Sequence, residues 1–150
     1  MQPTPVGVVM AQIKQLQARI IEKLLKENDS MYDVNSAQIN IMYQLWQKDN
    51  ITISELSKQT QLANTSLTTM LDRLEMRGQI KRCRNEQNRR EVRIQLTDKS
   101  RATQNQVSEI LCTMHAINFN GFSKEEEQQM YDYLSRMKNN LELYSKQDKL

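Results

Sequence analysis

Strong backbone breakers are scarce in this chain of 150 residues: it has two prolines, Pro3 and Pro5, and three glycines. Beyond Pro5 no proline interrupts a helix, so helices should dominate. Cysteine is equally sparse. Cys83 and Cys112 are too few and too far apart for a disulfide framework, which points to a reducing, cytoplasmic setting. The N-terminus lacks the basic-then-apolar pattern of a secretory leader, and apolar runs stop far short of the roughly 20 residues that span a bilayer. No membrane partner is expected. One histidine, no glycine-rich phosphate loop, no Ser/His/Asp set and no metal quartet leave an enzyme without its parts. No cofactor and no metal are expected.

What is present suits one small domain over residues 1–150 with a lean core. Apolar residues make up 38% of the chain and charged residues 26%. A monomer of this size hides only roughly 70% of its unfolded surface, so part of the apolar complement is expected to pack against a second copy. The net charge of +3 is unevenly placed. Residues 1–50 are neutral, residues 51–100 carry net +4 and residues 101–150 net −1. Between Arg73 and Arg93 eight basic residues face Glu75, Glu86 and Glu91 only, a candidate phosphate-binding surface. Charge alone equally describes a solvated face, so architecture must decide.

Periodicity supplies the architecture. Val9, Ile13, Leu16, Ile20 and Leu24 recur at helical steps, predicting a long amphipathic helix that ends near Asn28. Asn35 and Gln38 form a capping pair for a second helix bearing Ile39, Met42, Tyr43 and Trp46, which ends around Asp49. Thr52 and Glu55 open a short third helix with Leu56 facing inward. Asn64 is expected to cap the fourth, whose Leu67, Leu71 and Leu74 share one face and which Gly78 stops. A short helix followed by one rich in hydroxyls describes a helix-turn-helix. Residues 80–84 and 91–96 alternate around a polar, basic run, predicting a β-hairpin and so a winged helix. A helix beginning at Thr97 or Asp98 follows, broken at Asn120 and Gly121. Ser123 and Glu126 then cap a last helix whose Met130, Leu134, Met137, Leu141 and Tyr144 make an a/d seam suited to a helical dimer.

The stretch from Ile51 to Ser100 resembles the core of the MarR family of winged-helix transcription regulators. The resemblance is carried by Ser54-Glu55-Leu56, Thr68, Leu71-Asp72-Arg73-Leu74-Glu75, Arg77-Gly78 and Leu96-Thr97, joined by a wing of the expected length. It implies a mainly α fold, with a winged helix-turn-helix lobe over 36–97 and a dimerisation region formed by N- and C-terminal helices, 8–28 and 98–146. It further implies a homodimer that binds a palindromic or near-palindromic operator in double-stranded DNA, most often as a repressor relieved by a small molecule or other signal. In the family the wing carries Asp-x-Arg, the Asp holding the Arg for the minor groove. Here it reads Asn88-Arg89-Arg90, so Arg90 matches the inserting arginine while a neutral amide replaces the carboxylate.

On this reading Asn64, Thr65, Ser66, Thr68 and Thr69 meet the major groove, with Ser54 and Arg73 beside them. Lys81, Arg82, Arg84, Asn88, Arg89 and Arg90 supply the wing's phosphate and minor-groove contacts. A winged helix docking on an acidic protein is the alternative, against which the hydroxyl-rich helix argues. Tyr32, Met42, Tyr43, Trp46 and Met114 either line an apolar effector cleft or belong to the core. Cys112 and His115 have an i, i+3 spacing, but no further His or Cys stands near them in sequence to complete a metal site. Cys83, between Arg82 and Arg84, is either a thiol with an arginine-lowered pKa or a packed strand residue.

Overall fold

The computed structural model describes residues 2, 4–27 and 35–147. Its elements are α1 (Val6–Glu27), α2 (Ser36–Gln47), β1 (Ile51–Thr52), α3 (Ile53–Thr60), α4 (Asn64–Met76), β2 (Ile80–Arg84), β3 (Val92–Leu96), α5 (Asp98–Asn118) and α6 (Lys124–Gln147). The chain divides into two compact units, residues 1–114 and 115–150. The fold is mainly helical with one small antiparallel sheet, a winged helix as expected.

The first unit is organised by the leucine stripe of α4. Leu67, Leu71 and Leu74 are fully buried and join Leu56 of α3, Ile41 and Leu45 of α2, Ile51, Ile80, Ile94, Leu96, and Val107 and Ile110 of α5 in one core. Burying each such side chain stabilises the fold by about 1.5–3 kcal/mol. The capping boxes form as the spacing requires: Gln38 N–H donates to Asn35 Oδ1 at 3.0 Å and Glu55 N–H to Thr52 Oγ1 at 3.1 Å. Gly78, at φ 71°, turns the chain out of α4 in a conformation only glycine adopts without strain.

Three expectations need correction. Asn64 does not cap α4: Ala63 holds that place without a side-chain bond, and Asn64 is the first helical residue, leaving its amide exposed. Glu91 lies outside the second strand, because its N–H closes the hairpin turn onto Asn88 O at 2.9 Å. The sheet also has a third strand, in the order β1-β3-β2, with Ile51 opposite Ile94. Two residues carry no periodicity, so β1 exists only because β3 offers it a ladder. The expected end of α1 near Asn28 lies at the edge of the described residues.

The second unit is simple. Ser123 N–H donates to Glu126 Oε2 at 2.8 Å and Glu126 N–H to Ser123 Oγ at 3.1 Å, the capping box that starts α6. Helix α6 buries none of its residues within the chain. No described helix is long and apolar enough to cross a membrane.

Candidate nucleic-acid interface

With its leucine stripe committed inward, α4 must turn its other faces outward. Asn64, Thr65, Ser66, Thr68, Thr69 and Arg73 are all exposed, as is Ser54 in the first turn of α3. Short side chains over the first two turns leave the helix backbone open to close approach by a groove. Thr69 donates its hydroxyl proton to Thr65 O at 3.2 Å, leaving its oxygen free to accept.

The wing projects beyond. Strands β2 and β3 pair from Ile80 opposite Leu96 to Arg84 opposite Val92, and a turn with Asn85 N–H donating to Glu91 O at 3.2 Å closes them. Asn88 does not aim the Arg90 guanidinium: its Oδ1 accepts from the Arg90 backbone N–H at 3.2 Å and so shapes the turn. Arg89 and Arg90 stand exposed at the tip, Lys81 and Arg84 on β2. Among the described residues no ion pair or hydrogen bond engages the side chains of Arg73, Lys81, Arg84, Arg89 or Arg90, which leaves their charge for an external anion.

Arg82 differs from its neighbours. Its Nη2 lies 2.7 Å from Asp72 Oδ1 and its Nη1 2.9 Å from Glu75 Oε1, so its charge is taken up by the chain itself. Arg93 is similarly held, with Nε 2.6 Å from Glu91 Oε1 and Nη1 donating to Asn50 O at 2.9 Å. The contacts of Arg82 with α4 and of Arg93 with Asn50 have no sequence signature, because each crosses from one element to another.

Of the five apolar cleft candidates, Met42 and Trp46 border a cavity of about 10 Å³ between Leu25, Ile39, Gln79, Thr103 and Val107, room for roughly one water. Trp46 Nε1 and Gln79 Oε1 are buried there without a hydrogen-bond partner among the described residues. Gln79 carried no signal in the sequence. Met114 is buried, Tyr43 is 44% exposed, and neither borders the cavity. Tyr32 lies outside the described residues. Cys83 is half-buried and Cys112 exposed. His115 Nε2 stands 3.5 Å from Glu127 Oε2, and its ring packs on Phe119.

A model of the MarR family matches residues 34–92, from the approach to α2 to the start of β3. The HTH-type transcriptional regulator PecS of Dickeya dadantii is 30% identical over 125 residues, which cover 81% of this chain and 75% of PecS. The chain belongs to the MarR family. A second relative, the HTH-type transcriptional regulator TtmR of Methylorubrum extorquens, is 27% identical over 111 residues, 73% of this chain, and the match spans only 55% of that protein. MarR-family folds also superpose along nearly the full length. A MarR transcriptional regulator from Methanosarcina mazei covers 92% of this chain and 97% of its own, with TM-score 0.80 and 22% identity. A mutant MarR from E. coli complexed with operator DNA covers 89% of this chain and 93% of its own, with TM-score 0.77 and 24% identity. These relatives are described as transcriptional regulators.

Proposed function

We propose that this chain is a homodimeric, sequence-specific double-stranded DNA-binding transcriptional regulator, a cytoplasmic repressor relieved by a small ligand or other signal. Residues 36–97 form the lobe that meets DNA, and the helices within 8–28 and 98–146 hold two copies together. The observation that carries the reading is the pairing of an exposed hydroxyl-rich face on α4 with five unengaged cations, Arg73, Lys81, Arg84, Arg89 and Arg90. Short polar side chains read a groove while the cations neutralise phosphates beside it. That a fold-mate is complexed with operator DNA supports the same placement.

The dimer is supported by apolar surface without cover. On α1, Val9 is 48% exposed and Leu16 52%; on α6, Leu141 and Tyr144 are each 66% exposed. A second copy would cover such stripes, and two lobes would then address a palindromic or near-palindromic operator. The cavity bordered by Met42 and Trp46, where the Trp46 indole N–H and the Gln79 amide oxygen are unpaired among the described residues, is the place proposed for the effector, which must widen it to enter.

Selection of duplexes from a random pool, followed by affinity against salt, tests the reading. Five cations per lobe, ten per dimer, set a log–log salt slope of up to about −9 for full engagement. Failure to enrich any duplex, with no binding at low ionic strength, would overturn it.

A further inference from the structure

Asp72 and Glu75 lie three residues apart on α4, so their carboxylates share a face, and Asp72 follows Thr68 and Thr69 by one turn. Two carboxylates beside a DNA-reading face oppose a polyanion. Arg82, on the edge strand β2, takes hold of both: Nη2 at 2.7 Å from Asp72 Oδ1, Nη1 at 2.9 Å from Glu75 Oε1. Its backbone N–H also donates to Glu75 Oε2 at 3.0 Å, occupying an outward-facing donor of that edge. One guanidinium against two carboxylates leaves the cluster at net −1, so it adds nothing to phosphate attraction. The Arg82 side chain is only 23% exposed, against 58% for Asp72 and 42% for Glu75. A planar fork can bridge two carboxylates in this way, whereas an ammonium is a point charge that holds one at a time.

We propose that Arg82 is a positioning residue for DNA recognition: it bolts the wing to α4, so that the Thr65–Thr69 face and the Arg90 tip engage neighbouring grooves in one register. It contributes discrimination between sequences rather than attraction to phosphate. The proposal rests on the DNA-binding reading above. It inverts a simple electrostatic expectation, since removing the negative charge of Asp72 from a DNA-facing helix should then weaken recognition.

The full-length protein tests this with Arg82→Lys, which keeps the charge, and Asp72→Asn, which removes one arm of the clamp. Affinity is measured for a duplex enriched by the wild-type protein and for a random duplex, each across a salt series. Both variants should lower the ratio of the two affinities by about five- to tenfold while the salt slope stays at its wild-type value. Without DNA, hydrogen exchange should quicken across residues 80–96 in both variants while the amides of Leu71 and Leu74 keep their protection, which shows that the core remains folded. A wild-type ratio in Arg82→Lys would overturn the proposal. So would an equal loss on both duplexes with the slope smaller by about one, the mark of a direct phosphate contact. Tighter binding of Asp72→Asn to both duplexes, or unchanged exchange in the wing, would do the same. If the wild-type protein enriches no duplex, the DNA-binding reading fails and Arg82's role in recognition with it, even where exchange upholds the clamp itself.

Discussion

Asp49 and Arg101 meet at 2.7 Å, carboxylate Oδ2 to guanidinium Nη2, while Asp49 Oδ1 accepts from the Leu96 N–H at 2.9 Å. One side chain just past α2 thus ties together the end of β3 and the start of α5. Asp49→Ala should destabilise the fold by about 1–2 kcal/mol, discounted for the half-exposed arginine. Asp49→Asn, which can still accept from Leu96, should cost less. Denaturant titration of the two variants checks the order; equal losses would deny the backbone bond its part.

Arg90 tests the wing tip. Its side chain is exposed and engages nothing among the described residues, so Arg90→Ala should leave the melting temperature unchanged. Binding to an enriched duplex should nevertheless weaken by about 1–3 kcal/mol. Wild-type affinity at moderate salt would place the minor-groove contact elsewhere.

The stripe on α6 tests the dimer. Leu134 is 43% exposed and Leu141 66%, so a charge there disturbs little of the chain's own packing. Leu134→Glu with Leu141→Glu should shift the sedimentation equilibrium from dimer to folded monomer and weaken operator binding at least about tenfold, since one lobe must then bind alone. A variant that remains dimeric would exclude α6 from the interface.

Glu55 sets a pH dependence. The Thr52 N–H bond holds its carboxyl below the ordinary carboxylate range, burial opposes this, and the charges of Lys48, Arg93 and Lys58 assist. Because the folded value is depressed, the unfolded chain takes up this proton first as pH falls. The resulting stability is complete above the unfolded value and disappears as pH drops through the folded one. Glu55→Gln should therefore melt below wild type at neutral pH, with the gap closing in acid. A gap independent of pH would refute the charge contribution.

Gly78 tests backbone strain. A methyl group there would meet Lys99 Cδ at 3.8 Å, ordinary contact, so the cost of Gly78→Ala lies in its φ of 71°. A loss of about 1 kcal/mol in thermal or denaturant unfolding is expected, with the core unchanged. No loss would mean that the turn relaxes.

The elements that could be read in advance are those whose stabilising partners lie within one helical turn or one strand repeat. Asn35 with Gln38, Thr52 with Glu55 and Ser123 with Glu126 each announce a helix start, because a side chain reaches three residues along the chain whatever lies around it. Leu67, Leu71 and Leu74 marked the buried face of α4 for the same reason, and the hydroxyl face followed from it by geometry. Asn64 outranks Ala63 on capping propensity, yet Ala63 is the cap, because a cap is defined by backbone conformation and Ala63 holds the extended one. The amino-acid order alone determined the helices, the hairpin and the surface offered to a groove, since these depend on local periodicity and reach. Tertiary structure decided which cations remain available, paired Arg82 with two acids seven and ten residues away, joined Ile51 to Ile94 and set Trp46 beside Gln79. Those relationships depend on distances through space that no spacing along the chain encodes.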